Sequence, residues 1–508
     1  MSVLAQNTYI ITGSGAQFTA TKNGTAIQTN RPLQSIIDVI KSDAAGAACT
    51  IQFENGTNTL NTGTNSITFN GGVGGTDWGL ITLTGKMTSS CSDYSTGPVY
   101  LINGVSINSK ADITNTGVEW GNVIHNNSTG TLTVSGGTLL ATGPGEVHAI
   151  FNESSGTVNV TGGTISVTGD DYMNCAIYNE SSGTINVSGG TISKAGSRGN
   201  AIFNTASGAI IISGGTINAT CDIEAVYNIR SGTIEVSGGT IAAKSWAIKN
   251  EGDGTIDISG GTISTAEDYY TLFNYDPSGT ITVRGGTITG IKTIWGNAGM
   301  VNISGGMILA KEGYAIRHAG GTITISGGIV FAYGKNETDV IEGGVYTQNG
   351  NAVIIAWNKE ASPLTYAAGT SNDIFKSPAA ASALWAKQDG NSGIAVKYGA
   401  TDGFIPIAGV TVTGVSIEDD VARNVCAVYP NPTSGELRIE NGELRIENVE
   451  IFDVYGRNVG SKFPSKNLEG WQPQADGVVL DISHFPAGIY FVKIHTESGM
   501  VTKKVVKE

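Results

Sequence analysis

The sequence predicts an all-β chain dominated by a right-handed parallel β-helix with three short strands per coil. Two observations predict it. A Gly-Gly pair preceded by Ser, Thr or Arg recurs nine times, with first glycines at Gly136, Gly162, Gly189, Gly214, Gly238, Gly260, Gly285, Gly305 and Gly327. Its spacing varies between 20 and 27 residues, which excludes a heptad or a collagen triplet and suits a coil with constant strands and variable loops. Composition agrees: 72 Gly against 12 Pro, and 14% charged residues, well below the ~25% of an ordinary domain. Gly, Thr and Asn are poor helix formers, and the regular recurrence of Ile and Val argues against disorder.

One unit shows the elements in order. Residues 183 to 192 read Gly-Thr-Ile-Asn-Val-Ser-Gly-Gly-Thr-Ile. Ile185 and Val187 alternate with Thr184, Asn186 and Ser188, the period of a strand buried on one face. Gly189-Gly190 turns the chain, because glycine reaches positive φ without a Cβ clash. Thr191-Ile192 opens a second strand, and a polar loop follows. The third strand is Ala201-Ile-Phe-Asn204, matched by Ala149-Ile-Phe-Asn152, Ala176-Ile-Tyr-Asn179, Ala225-Val-Tyr-Asn228, Ala247-Ile-Lys-Asn250 and Thr271-Leu-Phe-Asn274. Stacked asparagines there would form a ladder that satisfies the polar groups of a corner. The β-helix is expected over residues 7–410. Leu33 to Ile40 has apolar residues at helical spacing, so a helix around 33–41 should cap the first coil. Ala352 to Ala356 and Gly393 to Val396 read as closing strands.

The rest of the composition excludes several classes. A net charge of −14 gives no field to attract nucleic acid. There is no run of 18 apolar residues to form a transmembrane segment. Residues 1–6 end in Val3-Leu4-Ala5-Gln6 and read as the remnant of a signal peptide. The five cysteines include no CxxC pair, so a zinc or redox motif is not expected. Cys175 and Cys221 fall about two coils apart, roughly 10 Å and beyond disulfide reach; a Cys49–Cys91 bridge stays open.

An acidic stretch, Glu418-Asp-Asp420, marks a linker at 411–424, and a separate β domain is expected over 425–508. Four blocks stand in it: Val428-Tyr-Pro-Asn-Pro-Thr-Ser-Gly435, Val449 to Arg457, Leu480 to Ile494, and Val501 to Lys507. Together they resemble the type A C-terminal sorting domain of type IX secretion in Bacteroidetes. The residues matching its motifs are Tyr429, Pro430, Asn431, Pro432, Gly435, Asp453, Gly456, Arg457, Gly488, Tyr490, Lys503 and Lys504. The resemblance implies an Ig-like sandwich, export across the outer membrane, and a surface or secreted location. It also implies partners: the secretion machinery with its sortase-like protease, and anionic lipopolysaccharide as an attachment point. Gly435-Glu-Leu-Arg-Ile-Glu-Asn441 is repeated at once as 442–448, which leaves the register of the first two strands open.

Candidate chemistry is sparse. In the first strand the outward column runs Thr133, Asn159, Asn186, Ile211, Glu235, Asp257, Thr282, Asn302 and Thr324. Glu235 and Asp257 would stack ~5 Å apart, near the spacing of a retaining glycosidase pair, with no Arg or His at that position in the adjacent coils. Two loops break the repeat and set carboxylates beside aromatics: Asp170-Asp171-Tyr172 and Glu267-Asp268-Tyr269. Either suits a sugar or calcium; no other cofactor is expected. The five histidines form no HxH or HExxH pattern, so no metal centre or catalytic residue is assigned. The expected role is an adhesin-like or glycan-binding scaffold without catalysis. The alternative is an extracellular polysaccharide lyase or glycoside hydrolase.

Overall fold

The computed structural model describes residues 7–334 except 55–58, 73–76, 94–96, 118, 120 and 311–312. Beyond these it describes 340–348, 353–358, 386–389, 393–397, 404–407, 427–429, 436–440, 446–453, 458–462, 478–496 and 499–507. The chain divides into two compact units, Met1–Val415 and Ser416–Glu508. The proposed signal remnant at 1–6 and the linker at 411–424 lie outside the described residues.

The first unit is a parallel β-solenoid. Each coil contributes a strand to each of three faces, as Ile185–Val187, Thr191–Ala195 and Ile202–Asn204 illustrate. Strands of successive coils pair in parallel and in register, Ile185 with Ile210 and Ile202 with Val226. The third face is a sheet of 12 strands. The first two faces merge where one strand runs through the Gly-Gly bend, as in Thr131–Thr142 and Met300–Ala310.

The bend explains the repeat. The second glycine of all nine pairs has φ between 66° and 80°, a region that costs any other L-residue strain. At six of the nine pairs the first is required by stacking: a Cβ on Gly189 would lie 2.4 Å from the Thr161 carbonyl oxygen of the coil before. Inside, Ile185, Ile192, Ile202, Ile210 and Ile217 are fully buried, each contributing about 1.5–3 kcal/mol by removal from water.

One residue before each corner, the expected asparagine ladder is present. Asn126, Asn152, Asn179, Asn204, Asn228 and Asn250 each donate from Nδ2 to the Oδ1 of the next, ending on Asn274, at 2.5–2.7 Å. Nδ2 of Asn204 also reaches the carbonyls of Ala206 and Gly208, at 2.8 and 2.9 Å. These bonds satisfy the corner groups that no strand pairs.

The N-terminal end departs from the repeat. β1 (Asn7–Ser14), β2 (Gln17–Lys22) and β3 (Thr25–Arg31) form an antiparallel meander, and β1 then pairs in parallel with β4 (Cys49–Phe53). The capping helix α1 runs Leu33–Ala44 and buries Leu33, Ile36, Ile37 and Ile40. Its Gln34 caps the first strand of the third face directly. The Gln34 amide donates to the Thr68 carbonyl at 3.1 Å, and its oxygen accepts the Thr68 N–H at 2.8 Å. A side chain thus takes the place of a neighbouring strand and blunts the sheet edge.

One expectation is corrected, and one open pairing is settled. Val353–Asn358 continues the parallel stack, but Gly393–Lys397 does not close it. That strand lies in an antiparallel sheet of three with Ala386–Asp389 and Phe404–Ile407. Cys49 and Cys91 are separate buried thiols, not a disulfide; burial pushes the Cys49 thiol up to about 11.

The second unit has antiparallel sheets of three and four strands. Between them lie Leu437, Ile439, Val449, Ile451, Leu480, Tyr490, Val492 and Ile494. The first copy of the duplicated heptapeptide supplies strand Glu436–Glu440. The second enters strand Ile446–Asp453, where the register shifts between Ile446 and Asn448. Both copies are therefore used, one in each sheet, and the second carries an irregularity in the form of a bulge. Gly488 starts the central strand, and the Tyr490 hydroxyl donates to the Pro486 carbonyl at 2.8 Å, in the manner of the tyrosine corner of Ig-like sandwiches. Lys503 and Lys504 lie opposite Val492 and Phe491. Pro430, Asn431, Pro432, Gly435, Gly456 and Arg457 lie outside the described residues. For Tyr429, Asp453 and Lys504 only the backbone is described.

Candidate functional site

Alternation along the third face sends one residue inward to the asparagine ladder and its predecessor outward. The outward column reads Tyr100, His125, Phe151, Tyr178, Phe203, Tyr227, Lys249, Phe273, Trp295 and Arg317. Adjacent rings stack along it. Phe203 and Tyr227 are 4.9 Å apart at 11°, and Phe273 and Trp295 4.3 Å apart at 8°. Sequence reasoning reads the Ala-Ile-Phe-Asn motif for its asparagine and passes over this third position. The signal is there, in eight aromatic or histidine residues out of ten.

The column has two parts. In the first, Phe151, Tyr178 and Phe203 are buried, with Met173 packed on them from the loop after Thr168. His148 stacks on Tyr178 at 4.8 Å, and His125 Nε2 lies 2.8 Å from Glu153 Oε2. In the second part the rings are open. Trp246, Tyr269, Phe273 and Trp295 are half-buried, and Tyr275 is 56% exposed. Tyr275 lies parallel to Phe273 and Trp295 within 20°, and Trp246 meets Tyr269 at 4.3 Å.

A polar cluster divides the two parts. Lys249 Nζ lies 2.8 Å from both Glu224 Oε1 and Glu251 Oε1, and within 4.7 Å of the Tyr227 ring centre. Glu224 is buried and also accepts from Asn200 Nδ2 at 3.1 Å. Burial works against the Lys249 ammonium, but the two carboxylates outweigh it and hold the group above the usual lysine range. Burial likewise opposes Glu251, yet Lys249 and the Tyr227 hydroxyl hold it below the usual glutamate range. Tyr227 is pushed up, first by burial and then by Glu251. No short motif announces this cluster, because Glu224 is separated from Lys249 and Glu251 by a coil of variable length.

The predicted site residues are distributed as follows. Asp170 accepts from the Ser197 N–H and hydroxyl at 2.7 and 3.0 Å, which hold it below the usual aspartate range. Asp171 closes a turn by accepting from the Met173 N–H at 2.9 Å. Tyr172 is exposed beneath the Arg198 guanidinium, 4.0 Å from its centre. The buried ammonium of Lys194 donates to the Gly169 carbonyl at 2.8 Å and so anchors this loop. Glu235 and Asp257 are in register, but Asp257 pairs with Arg284, which enters from two positions further along the next coil. A basic partner thus stands beside the acidic pair after all. Glu267 faces Lys244 at 3.6 Å, Asp268 pairs with Lys292 at 2.9 Å, and Tyr269 joins the open aromatic group. Among the described residues, no group of three or more His, Cys, Asp or Glu is assembled to hold a metal, and no helix is long and apolar enough to cross a membrane.

Comparison with known proteins bears on the second unit. No curated protein matches the chain. Residues 427–508 match the family described as the secretion system C-terminal sorting domain. That match, its position after a β-solenoid and the motif blocks within it identify a secreted, surface-directed cargo of the type IX secretion system of Bacteroidetes, carrying its sorting domain at residues 427–508.

Proposed function

We propose that the solenoid is a non-catalytic, adhesin-like scaffold that binds glycans at the cell surface. The observation that carries this reading is the open part of the outer column. Trp246, Tyr269, Phe273, Tyr275 and Trp295 offer exposed apolar ring surface beside hydrogen-bonding groups, the combination that sugar recognition uses. Export fits the role: the sorting domain engages the secretion machinery and its sortase-like protease, and lipopolysaccharide anchors the cargo.

A glycoside hydrolase is the competing reading, and the charged cluster speaks against it. Such enzymes keep one carboxyl of a pair protonated near neutrality. Against the opposing effect of burial, Lys249 and the Tyr227 hydroxyl instead hold Glu251 below the usual glutamate range, and Lys249 lies between the two carboxylates. The test is the full chain on an array of plant, fungal and bacterial glycans, with product release measured in parallel. Binding without release of reducing ends or unsaturated sugars is expected. Turnover of any polymer would overturn the scaffold reading.

A further inference from the structure

We infer that the ligand is an uncharged polysaccharide, and that it binds at the open rings beside Lys249 and in the coils that follow it. This rests on the glycan-binding reading and narrows it to a substrate class and a site. Among the described residues, four ion-paired cations stand at or near the open rings: Lys244, Lys249, Lys292 and Arg317. Each already has a carboxylate partner: Asp222 and Glu267 for Lys244, Glu224 and Glu251 for Lys249, Asp268 for Lys292, Glu342 for Arg317. Six carboxylates thus stand against four cations. A uronate or sulfated chain would meet a surplus of like charge and would have to break an existing ion pair to find a cation. The chain's net charge of −14 adds to that repulsion.

The aromatic cage at the site is not open to a ligand cation. The space among Tyr227, Trp246 and Phe273 is the kind of aromatic cage that holds an ammonium, and Lys249 fills it, 4.7, 5.3 and 5.9 Å from the three ring centres. What remains open carries no free cation: ring carbon, the Tyr269 and Tyr275 side chains, and paired carboxylates whose oxygens accept hydroxyl protons. Rungs of the column recur every ~4.8 Å, close to the advance of a pyranose unit along its chain, so several sugars can be met in succession. The covered rings Phe151, Tyr178 and Phe203 cannot take part while Met173 lies on them.

The experiment is affinity electrophoresis of the full chain in gels containing hydroxyethylcellulose, xyloglucan, galactomannan or polygalacturonate, with Trp246→Ala, Trp295→Ala and Trp295→Tyr alongside. Retardation by at least one neutral polymer and none by polygalacturonate is expected. Each alanine variant should weaken binding about tenfold, as loss of an aromatic contact of ~1.4 kcal/mol implies, and Trp295→Tyr should restore most of it. Thermal unfolding of each variant checks that the fold persists. Retardation by polygalacturonate alone would overturn the neutral assignment and leave glycan binding standing. Neutral binding untouched by either alanine would overturn the site. Retardation by no polymer would overturn both readings.

Discussion

Two columns run the length of the third face, one residue apart in sequence and on opposite sides of the sheet. Asn204 belongs to the inner one and Phe203 to the outer. The inner column is nearly invariant over seven coils, Asn126 to Asn274. The outer column changes identity at almost every coil. The difference follows from what surrounds each. An inward amide must satisfy three or four fixed partners in a space closed to water, and only Asn has the length and both kinds of group. An outward side chain needs only to cover the sheet, so it is free to be shaped by what it meets outside. The inner column therefore belongs to stability, and the open part of the outer one is where we propose recognition.

The largest expected effect is on the inner side. Asn204→Leu removes the bonds to Asn228, Ala206 and Gly208 and the one received from Asn179. Leaving several buried groups unpaired should cost about 4 kcal/mol, read as a large drop in the urea midpoint of the full chain. An effect no greater than that of an exposed substitution would break the distinction between the columns.

A smaller effect marks where the inner column ends. After Asn274 the same position is taken by Gly296 and then His318. Burial holds the buried His318 imidazole below its ordinary 6.5. A group whose pKa is lowered on folding stabilises while both states are neutral. That stability is lost as acidification protonates the unfolded state first. The solenoid should thus weaken as pH falls from 6.5 toward the folded value. His318→Gln should flatten that slope. An unchanged slope would place the acid sensitivity elsewhere.

The same contrast governs what the sequence makes legible. The Gly-Gly bends, the Ile and Val columns and the asparagine ladder can be read because each repeats, and each repeats because every coil imposes the same geometry. β1 to β3 and the antiparallel strands at 386–407 do not follow the repeat, so their partners have no period to betray them. Helix α1 shows its apolar spacing, but its Gln34 gives no hint of the strand edge it caps. In the site, Tyr269 stands out as a break in the repeat, whereas its partner Trp246 lies a coil away. The Glu224–Lys249–Glu251 cluster and the Asp257–Arg284 pair are likewise made across coils. Loop lengths that vary between 20- and 27-residue repeats hide such neighbours from inspection of the chain alone.

The central claim, that recognition and stability are carried by separate columns, is tested most directly by one paired measurement. Trp295→Ala on the outer column and Asn250→Ala on the inner are compared with the unaltered chain for thermal midpoint and for retardation by the neutral polymer that binds best. If the columns are separate, Trp295→Ala weakens binding about tenfold with only a small change in midpoint, while Asn250→Ala loses several degrees and, below its midpoint, keeps its binding. Loss of binding in Asn250→Ala well below its midpoint, or full binding by Trp295→Ala, would contradict it.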